Sequence, residues 1–150
     1  MTLDEFWQEF LVFSGKDRAT KYIEAFHFNA SEEYANNLIN LVLMGKKRAT
    51  ASTLTAYEYS GNKIPQIGDY SIVTDCSGNP RCVIRTTAIT ILPFNEITFD
   101  ICKREGEDEC LETWQDGHRR CFAEEGRALG YEFSEDMQVV FEDFELIFSR

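Results

Sequence analysis

The segment Gly45-Lys46-Lys47-Arg48-Ala49-Thr50-Ala51-Ser52 divides the chain into a helical part and a β-rich part. Before it, apolar residues recur at helical spacing, and a glycine after such a series often adopts the left-handed conformation that ends a helix. After it, the small and β-branched residues from Thr50 to Thr55 favour a strand. The sequence therefore predicts a helix-to-strand connection here, where functional side chains are often presented.

The same segment places cations beside hydroxyl groups, in a chain whose other charges are mostly negative. A neutral lysine at position 47 would be able to take the proton of the Thr50 hydroxyl and so activate it as a nucleophile. A Lys-Lys-Arg run is also typical of a solvated turn, or of cations that offset the negative end of a helix. Both interpretations stay open at this point.

The composition is that of an ordinary globular protein. The chain has 150 residues, of which 43% are hydrophobic and 27% charged, and this length suits one domain with a sizeable core. No stretch approaches the roughly 18 apolar residues of a membrane span, and the acidic N-terminus does not resemble a signal peptide. We therefore expect a soluble, cytoplasmic protein with no membrane partner.

The cysteines and histidines do not form a recognisable metal site. The five cysteines include no pair with the two-residue spacing of zinc or redox sites, and His27 and His118 are not spaced with them in a known pattern. Cysteines of this kind are usually small buried residues. We predict no metal and no cofactor.

The charge balance limits the class of partner. With 26 acidic and 15 basic residues, the formal net charge is -11, which repels polyanions at long range. Binding to duplex DNA through many phosphate contacts is therefore not expected. A local basic pocket would still admit a nucleoside or a short single-stranded RNA.

The first part of the chain, residues 1–45, is predicted to be mostly helical. Thr2 and Glu5 have the spacing of a capping box, and apolar residues follow at helical spacing. A second helix is predicted from about Asp17 to Phe26. A third begins after Ser31, a suitable N-cap, and ends at Gly45.

Residues 49–148 are predicted to contain a small antiparallel β-barrel flanked by helices, which makes the fold α+β. The predicted elements are a strand from about Thr50, a hairpin of Tyr70–Thr74 and Cys82–Ile91, a short helix over Asn95–Lys103, a helix from Leu111 to Gly130, and a closing strand over Gln138–Phe148. Arg85 is the one cation in a long uncharged strand, and it either points outward or faces a pocket.

An ordered set of motifs gives the chain a family resemblance. They are the Gly45–Ser52 segment, Phe26-His27-Phe28-Asn29, Gly68-Asp69-Tyr70, Ile84-Arg85-Thr86-Thr87, Glu105-Gly106-Glu107-Asp108 and Phe133-Ser134-Glu135-Asp136-Met137. Together they resemble the ASCH domain proteins of the PUA-like superfamily. The resemblance covers nearly all of residues 1–150 and implies a single domain, a PUA-like barrel with a cleft beside the glycine-lysine motif.

The family signature is glycine, any residue, lysine, two residues of any kind, glutamate, any residue, arginine. Gly45 and Lys47 match it, whereas Thr50 and Ser52 replace the glutamate and the arginine. A small bacterial relative that hydrolyses N4-acetylcytidine also has a threonine at the first of these places, but it keeps the arginine. Its catalytic lysine, threonine and glutamate would fall on Lys47, Thr50 and Glu107.

The resemblance thus implies an amidohydrolase in which Lys47 is the base, Thr50 the nucleophile and Glu107 the acid. Further substrate-binding residues are expected around them: the cations Lys46 and Arg48, Ser52 and Arg85 for carbonyl oxygens, and Tyr57 or Trp114 for stacking on a base. Two alternatives follow from the same family. One is a PUA-like module that binds RNA without catalysis, and the other is a ribonuclease.

Overall fold

The computed structural model describes residues 1–28 and 30–150. Asn29, the last residue of the aromatic motif, lies outside the described residues. The helices and strands are α1 (Leu3–Ser14), β1 (Glu24–Phe26), α2 (Glu32–Leu43), β2 (Ala49–Thr53), α3 (Leu54–Ser60), β3 (Tyr70–Thr74), β4 (Pro80–Pro93), α4 (Phe99–Cys102), α5 (Leu111–Leu129) and β5 (Gln138–Ser149).

The strands form one curled five-stranded sheet, a half-barrel, in the order β1-β3-β4-β5-β2. The pairs β3–β4, β4–β5 and β2–β5 are antiparallel, and β1 pairs with β3 in parallel. The long strands β4 and β5 shift register at two places, and such irregularities bend a strand. The predicted α+β fold with a PUA-like, barrel-like sheet is confirmed.

Two of the predicted helices have the expected ends. Thr2 and Glu5 form the capping box of α1, whose buried face carries aromatic and leucine side chains that pack on β3 and β4. Ser31 caps α2, because its side chain accepts a hydrogen bond from the Tyr34 N–H. Gly45 follows α2 with a φ of 76°, the left-handed conformation that the sequence predicted.

Three predictions of secondary structure need correction. The helix predicted over residues 17–26 is absent, because the Ile23 N–H donates to the Tyr70 carbonyl and the next three residues pair with β3. The strand after residue 50 stops at Thr53, whose side chain caps α3. The helix predicted over residues 95–103 is interrupted, and only Phe99–Cys102 is α-helical.

The helices pack on the sheet in separate clusters. The face of α1 packs on Ile72 and Val83, α2 packs on β3, β4 and β5, and α5 packs on the other end of β5. In the described part of the chain, no helix has both the length and the apolar character needed to cross a membrane. The space between α2, α5 and β2 is left for a cavity.

The backbone of the Gly45–Ser52 segment packs directly against a loop far along the chain. The Arg48 N–H donates to the Arg104 carbonyl at 2.9 Å. Gly106 has a φ of 73°, and a Cβ at this position would lie 2.4 Å from the Lys46 carbonyl oxygen. A glycine is therefore required at position 106 for two independent reasons, backbone conformation and close approach.

Gly106→Ala should destabilise the fold more than Gly45→Ala does. Both glycines have positive φ, so alanine at either position costs about 1–2 kcal/mol of backbone strain. Only position 106 adds a clash with backbone, worth roughly 1–3 kcal/mol more. Urea unfolding of both variants measures the difference, and equal losses would show that the close approach is not a constraint.

Candidate active site

Lys47 is the centre of the site, and it is buried. Its side chain is 2% exposed, and its Nζ donates to Glu107 Oε2 at 2.6 Å, to the Ala49 carbonyl at 2.9 Å and to Glu105 Oε1 at 3.4 Å. The Nζ also lies 5.3 Å from the centre of the Phe28 ring. A lysine is almost never fully buried unless it is paired, so a solvated turn is excluded for this residue.

Glu105 is the buried carboxylate that contacts Lys47. It is 3% exposed, and its second oxygen accepts a hydrogen bond from the Trp114 Nε1 and lies 3.1 Å from the His118 Nε2, at ion-pair distance. Burial raises the pKa of Glu105, but Lys47 and His118 outweigh this effect and hold the pKa well below its usual range. Glu105 is therefore an ionised carboxylate that receives three donors.

Glu107 lies nearer the solvent than Glu105, with a side chain that is 10% exposed. Besides the contact with Lys47, its Oε1 accepts a hydrogen bond from the Tyr34 hydroxyl at 2.9 Å. Burial and the Glu107 charge raise the pKa of Tyr34, which keeps this phenol protonated as a donor. The two carboxyls that the sequence left as alternatives thus both contact Lys47, and Glu107 is the outer one.

A cavity of about 760 Å³ opens beside Lys47. This is the size that binds small organic ligands. It is lined by the following predicted site residues: Lys47, Thr50, Ser52, Tyr57 and Glu107. Among the described residues no hydrogen bond joins Lys47 to Thr50, although both line this cavity.

The other predicted substrate-binding residues lie elsewhere. Lys46 and Arg48 border a second groove of about 660 Å³, which also contacts Glu107. Arg85 forms an ion pair with Glu145 on the neighbouring strand and does not line the cavity. Of the two orientations that the sequence left open for Arg85, outward or into a pocket, the structure has the outward one.

The prediction that Trp114 stacks on a base is wrong. Its side chain is 0% exposed and lies between the Phe94 ring, at a centroid distance of 5.5 Å, and the His118 ring, at 4.1 Å. Both faces of the indole are therefore covered. Trp114 instead supports the site from behind, since its Nε1 donates to Glu105.

Two further cavity residues, His118 and Glu142, were not assigned a role from the sequence. His118 comes one helical turn after Trp114, so their contact could have been expected from the i, i+4 spacing. Glu142 lies within a run of β5 residues that are all buried, from Val139 to Phe144. The burial of this run is visible only in the structure, so the sequence alone did not mark Glu142 as a buried acid.

Glu142 lies directly across from Thr50 in the β2–β5 pair and is 4% exposed. Its Oε2 accepts a hydrogen bond from the Thr86 hydroxyl at 2.7 Å. Burial raises the pKa of Glu142 to about 7, and nearby acids including Glu24 add to the shift, while Thr86 opposes it. The cavity thus has a carboxyl group, that of Glu142, which changes charge near neutral pH.

Within residues 1–28 and 30–150, no three His, Cys, Asp or Glu side chains lie together in a way that would hold a metal ion. Cys82 and Cys102 are buried, as expected of small apolar residues, whereas Cys76 and Cys110 are exposed and Cys121 is half-buried beside the cavity.

Comparisons with known proteins agree with this architecture. A family model for the ASCH domain matches residues 24–148. The ASCH domain from Lactobacillus crispatus is 34% identical, with a TM-score of 0.84, and the match covers 95% of this chain and 92% of that one. Protein EF3133 from Enterococcus faecalis is 33% identical, with a TM-score of 0.87, and covers 97% of this chain and 87% of its own. No match was found among curated proteins.

Glu142→Gln should stabilise the protein at pH 8 but not at pH 4. The pKa of Glu142 is raised in the folded state, so its proton is bound more tightly there than in the unfolded chain. Its contribution to stability is therefore fully present below about pH 4.5 and is lost as the pH rises to about 7. A neutral amide avoids this loss, which amounts to about 3 kcal/mol for a rise of the pKa from 4.5 to about 7.

Thermal unfolding of the variant at several pH values measures this effect. The exposed Glu132→Gln is the matched control, because it makes the same change of charge outside the cavity. A stability difference between Glu142→Gln and the parent protein that does not change with pH would contradict the assignment.

Proposed function

Since this chain belongs to the ASCH domain family, we propose that the cavity beside Lys47 is the active site of an amidohydrolase, with an N4-acylated cytidine as substrate. The observation that carries the proposal is the 2.6 Å contact between Lys47 Nζ and Glu107 Oε2 at the wall of a cavity that Thr50 also lines. A base, an acid and a hydroxyl nucleophile are thereby available to one bound ligand.

Transfer of one proton within the contact between Lys47 and Glu107 converts both residues to their catalytic forms. When that proton moves from Nζ to Oε2, Lys47 becomes a neutral amine and Glu107 a neutral carboxylic acid. These are the forms in which Lys47 accepts a proton and Glu107 donates one.

The first half of the reaction breaks the amide bond. The Thr50 oxygen attacks the acyl carbon while its proton passes to the Lys47 amine, and a tetrahedral intermediate forms. This intermediate collapses when the bond between the acyl carbon and the amide nitrogen breaks. The leaving nitrogen takes the proton of Glu107, so cytidine departs with its free amino group and the acyl group stays on Thr50 as an ester.

The second half returns the site to its starting state. A water molecule attacks the Thr50 ester and gives its proton to the Glu107 carboxylate. The Thr50 oxygen leaves with the proton that Lys47 holds. One amide and one water have then become one amine and one carboxylic acid, and Lys47 and Glu107 again have the forms that start the cycle.

The charge of the cavity favours a nucleoside over a phosphorylated ligand. Its lining includes more acids than cations: Glu24, Glu105, Glu107, Asp108, Glu125 and Glu142 against Lys47, Arg120 and, when protonated, His118. Such a cavity repels phosphate groups. The Phe26, Phe28 and Tyr57 side chains also line it and offer apolar surface for a base.

RNA binding is the second candidate function, and the groove beside the cavity favours it. The cations Lys46, Arg48 and Lys103 border this groove beside the acids Glu107, Asp108 and Glu109, and Glu107 belongs to the wall of the cavity as well. A short single-stranded RNA would place its phosphates on these cations, whether it is only bound or also cleaved. Affinity that falls steeply with salt, without release of cytidine from N4-acetylcytidine, would favour this candidate over the amidohydrolase.

Thr50→Val should abolish hydrolysis of N4-acetylcytidine while the fold remains. Valine has the shape of threonine and suits a strand, but it lacks the hydroxyl nucleophile. We expect kcat to fall by at least about 100-fold, as for the loss of a catalytic group that transfers a proton. Liquid chromatography of released cytidine measures the rate.

Thr90→Val is the matched control, because Thr90 is exposed on β4 and does not line the cavity. Thermal unfolding of both variants checks that they are folded. If Thr50→Val hydrolyses N4-acetylcytidine as fast as Thr90→Val, Thr50 is not the nucleophile.

A further inference from the structure

We propose that His118 is held as an imidazolium ion and is the reserve counter-ion of Glu105, which allows Lys47 to lose its proton without leaving a buried carboxylate unpaired. This inference rests on the proposed function for its consequence, but its structural part is independent of any activity. His118 would act through Glu105 and is thus a positioning residue, not a catalytic one.

The hydrogen bonds of the His118 ring require protons on both nitrogens. Nδ1 lies 2.9 Å from the carbonyl oxygen of Trp114, and Nε2 lies 3.1 Å from Oε2 of Glu105. A carbonyl oxygen and an ionised carboxylate can only accept hydrogen bonds. A neutral imidazole has one nitrogen without a proton, and that nitrogen would face an oxygen at contact distance. The doubly protonated ring satisfies both contacts.

The ring is fixed in this orientation by its neighbours. It stacks on the Trp114 indole at a centroid distance of 4.1 Å and an angle of 20°, and it meets the edge of Phe122 at 5.5 Å. Its side chain is 16% exposed. The imidazole is therefore held between aromatic rings, with its two nitrogens aimed at oxygens.

The charges around His118 alternate in sign. His118 on α5 contacts Glu105, Glu105 contacts Lys47, and Lys47 contacts Glu107, so that two cations and two carboxylates follow one another. Burial lowers the pKa of His118, but the hydrogen bond and charge of Glu105, the Trp114 carbonyl and the charge of Glu107 together raise it. With His118 charged, this group of residues has no net charge.

This balance matters when Lys47 becomes a base. After its proton has moved to Glu107, Lys47 no longer offsets the Glu105 charge at 3.4 Å, but His118 still does so at 3.1 Å. Without a charged His118, the same proton transfer would leave Glu105 as an isolated buried charge, which is strongly unfavourable. His118 thus lowers the free energy required to make Lys47 neutral.

The structural part is tested first in the unmodified protein. Nitrogen NMR of the His118 ring reports whether one or both nitrogens carry a proton, and it requires no substrate. We expect both to be protonated at pH 7.5, well above the ordinary pKa of histidine, which is about 6.5. A ring with a single protonated nitrogen at this pH overturns the inference, whatever reaction the protein performs.

The consequence for Lys47 is tested with His118→Gln. The glutamine amide can still donate to Glu105 but has no charge, so Lys47 should hold its proton more tightly. Nitrogen NMR of Lys47 should show deprotonation shifted to higher pH by about one unit or more, a tenfold change in proton affinity. The acid limb of the pH profile for cytidine release should shift in the same direction.

A double variant separates this charge effect from a loss of packing. In Glu105→Gln/His118→Gln the carboxylate that needed a counter-ion is gone, so the deprotonation of Lys47 should return to the pH of the unmodified protein or lower. The inference is overturned if the effects of the two substitutions on Lys47 deprotonation simply add in the double variant. It is also overturned if Lys47 loses its proton at the same pH in His118→Gln as in the unmodified protein.

Failure of the proposed function would be seen separately. If the unmodified protein releases no cytidine from N4-acetylcytidine but the NMR titrations of His118 and Lys47 behave as expected, the substrate is wrong and the counter-ion role of His118 stands.

Discussion

The arrangement of this molecule depends on how the buried ammonium of Lys47 is satisfied. An ammonium ion that leaves water must regain hydrogen bonds and opposite charge, and Lys47 finds them in the Ala49 carbonyl and in Glu105 and Glu107. These carboxyls are 58 and 60 positions away in the sequence. The interaction therefore ties the connection between α2 and β2 to the loop before α5, and the cavity lies where they meet.

A contribution to the stability of the fold does not by itself explain why this interaction is present. Two buried carboxylates, a buried ammonium and a nearly buried imidazole all lose hydration, and such groups are often replaced by apolar residues without loss of stability. The close backbone contact at Gly106 holds the loop in the position that this network needs. A costly network beside an open cavity is the pattern expected of a site that moves protons.

Much of the fold could be predicted because its signals are local. The capping box at Thr2, the N-cap at Ser31 and the left-handed Gly45 each depend on a few neighbouring residues. The helix predicted over residues 17–26 was wrong because the apolar spacing suits a helix, whereas parallel pairing with β3 decides the conformation of the last three residues. The end of β2 and the start of α3 were not predicted, because a threonine such as Thr53 suits a strand and can also cap a helix.

The site was predictable only in part, for a related reason. The resemblance to a family pointed to Lys47, Thr50 and Glu107, and all three line one cavity. It could not show that Trp114 is enclosed on both faces, or that Lys46 and Arg48 border a different groove, since orientation is set by packing across the fold. Glu142 was hidden because β5 is buried on both faces near its centre, which removes the alternation that marks a strand facing a cavity.

A crystal structure of the Glu107→Gln variant soaked with N4-acetylcytidine tests the central claim most directly, because the variant keeps the shape of the site but cannot donate the acid proton. The account predicts the intact ligand in the cavity, with its acyl carbon next to the Thr50 oxygen and its amide nitrogen next to position 107. A ligand bound only along the groove of Lys46, Arg48 and Lys103, with the cavity beside Lys47 left to solvent, would contradict it.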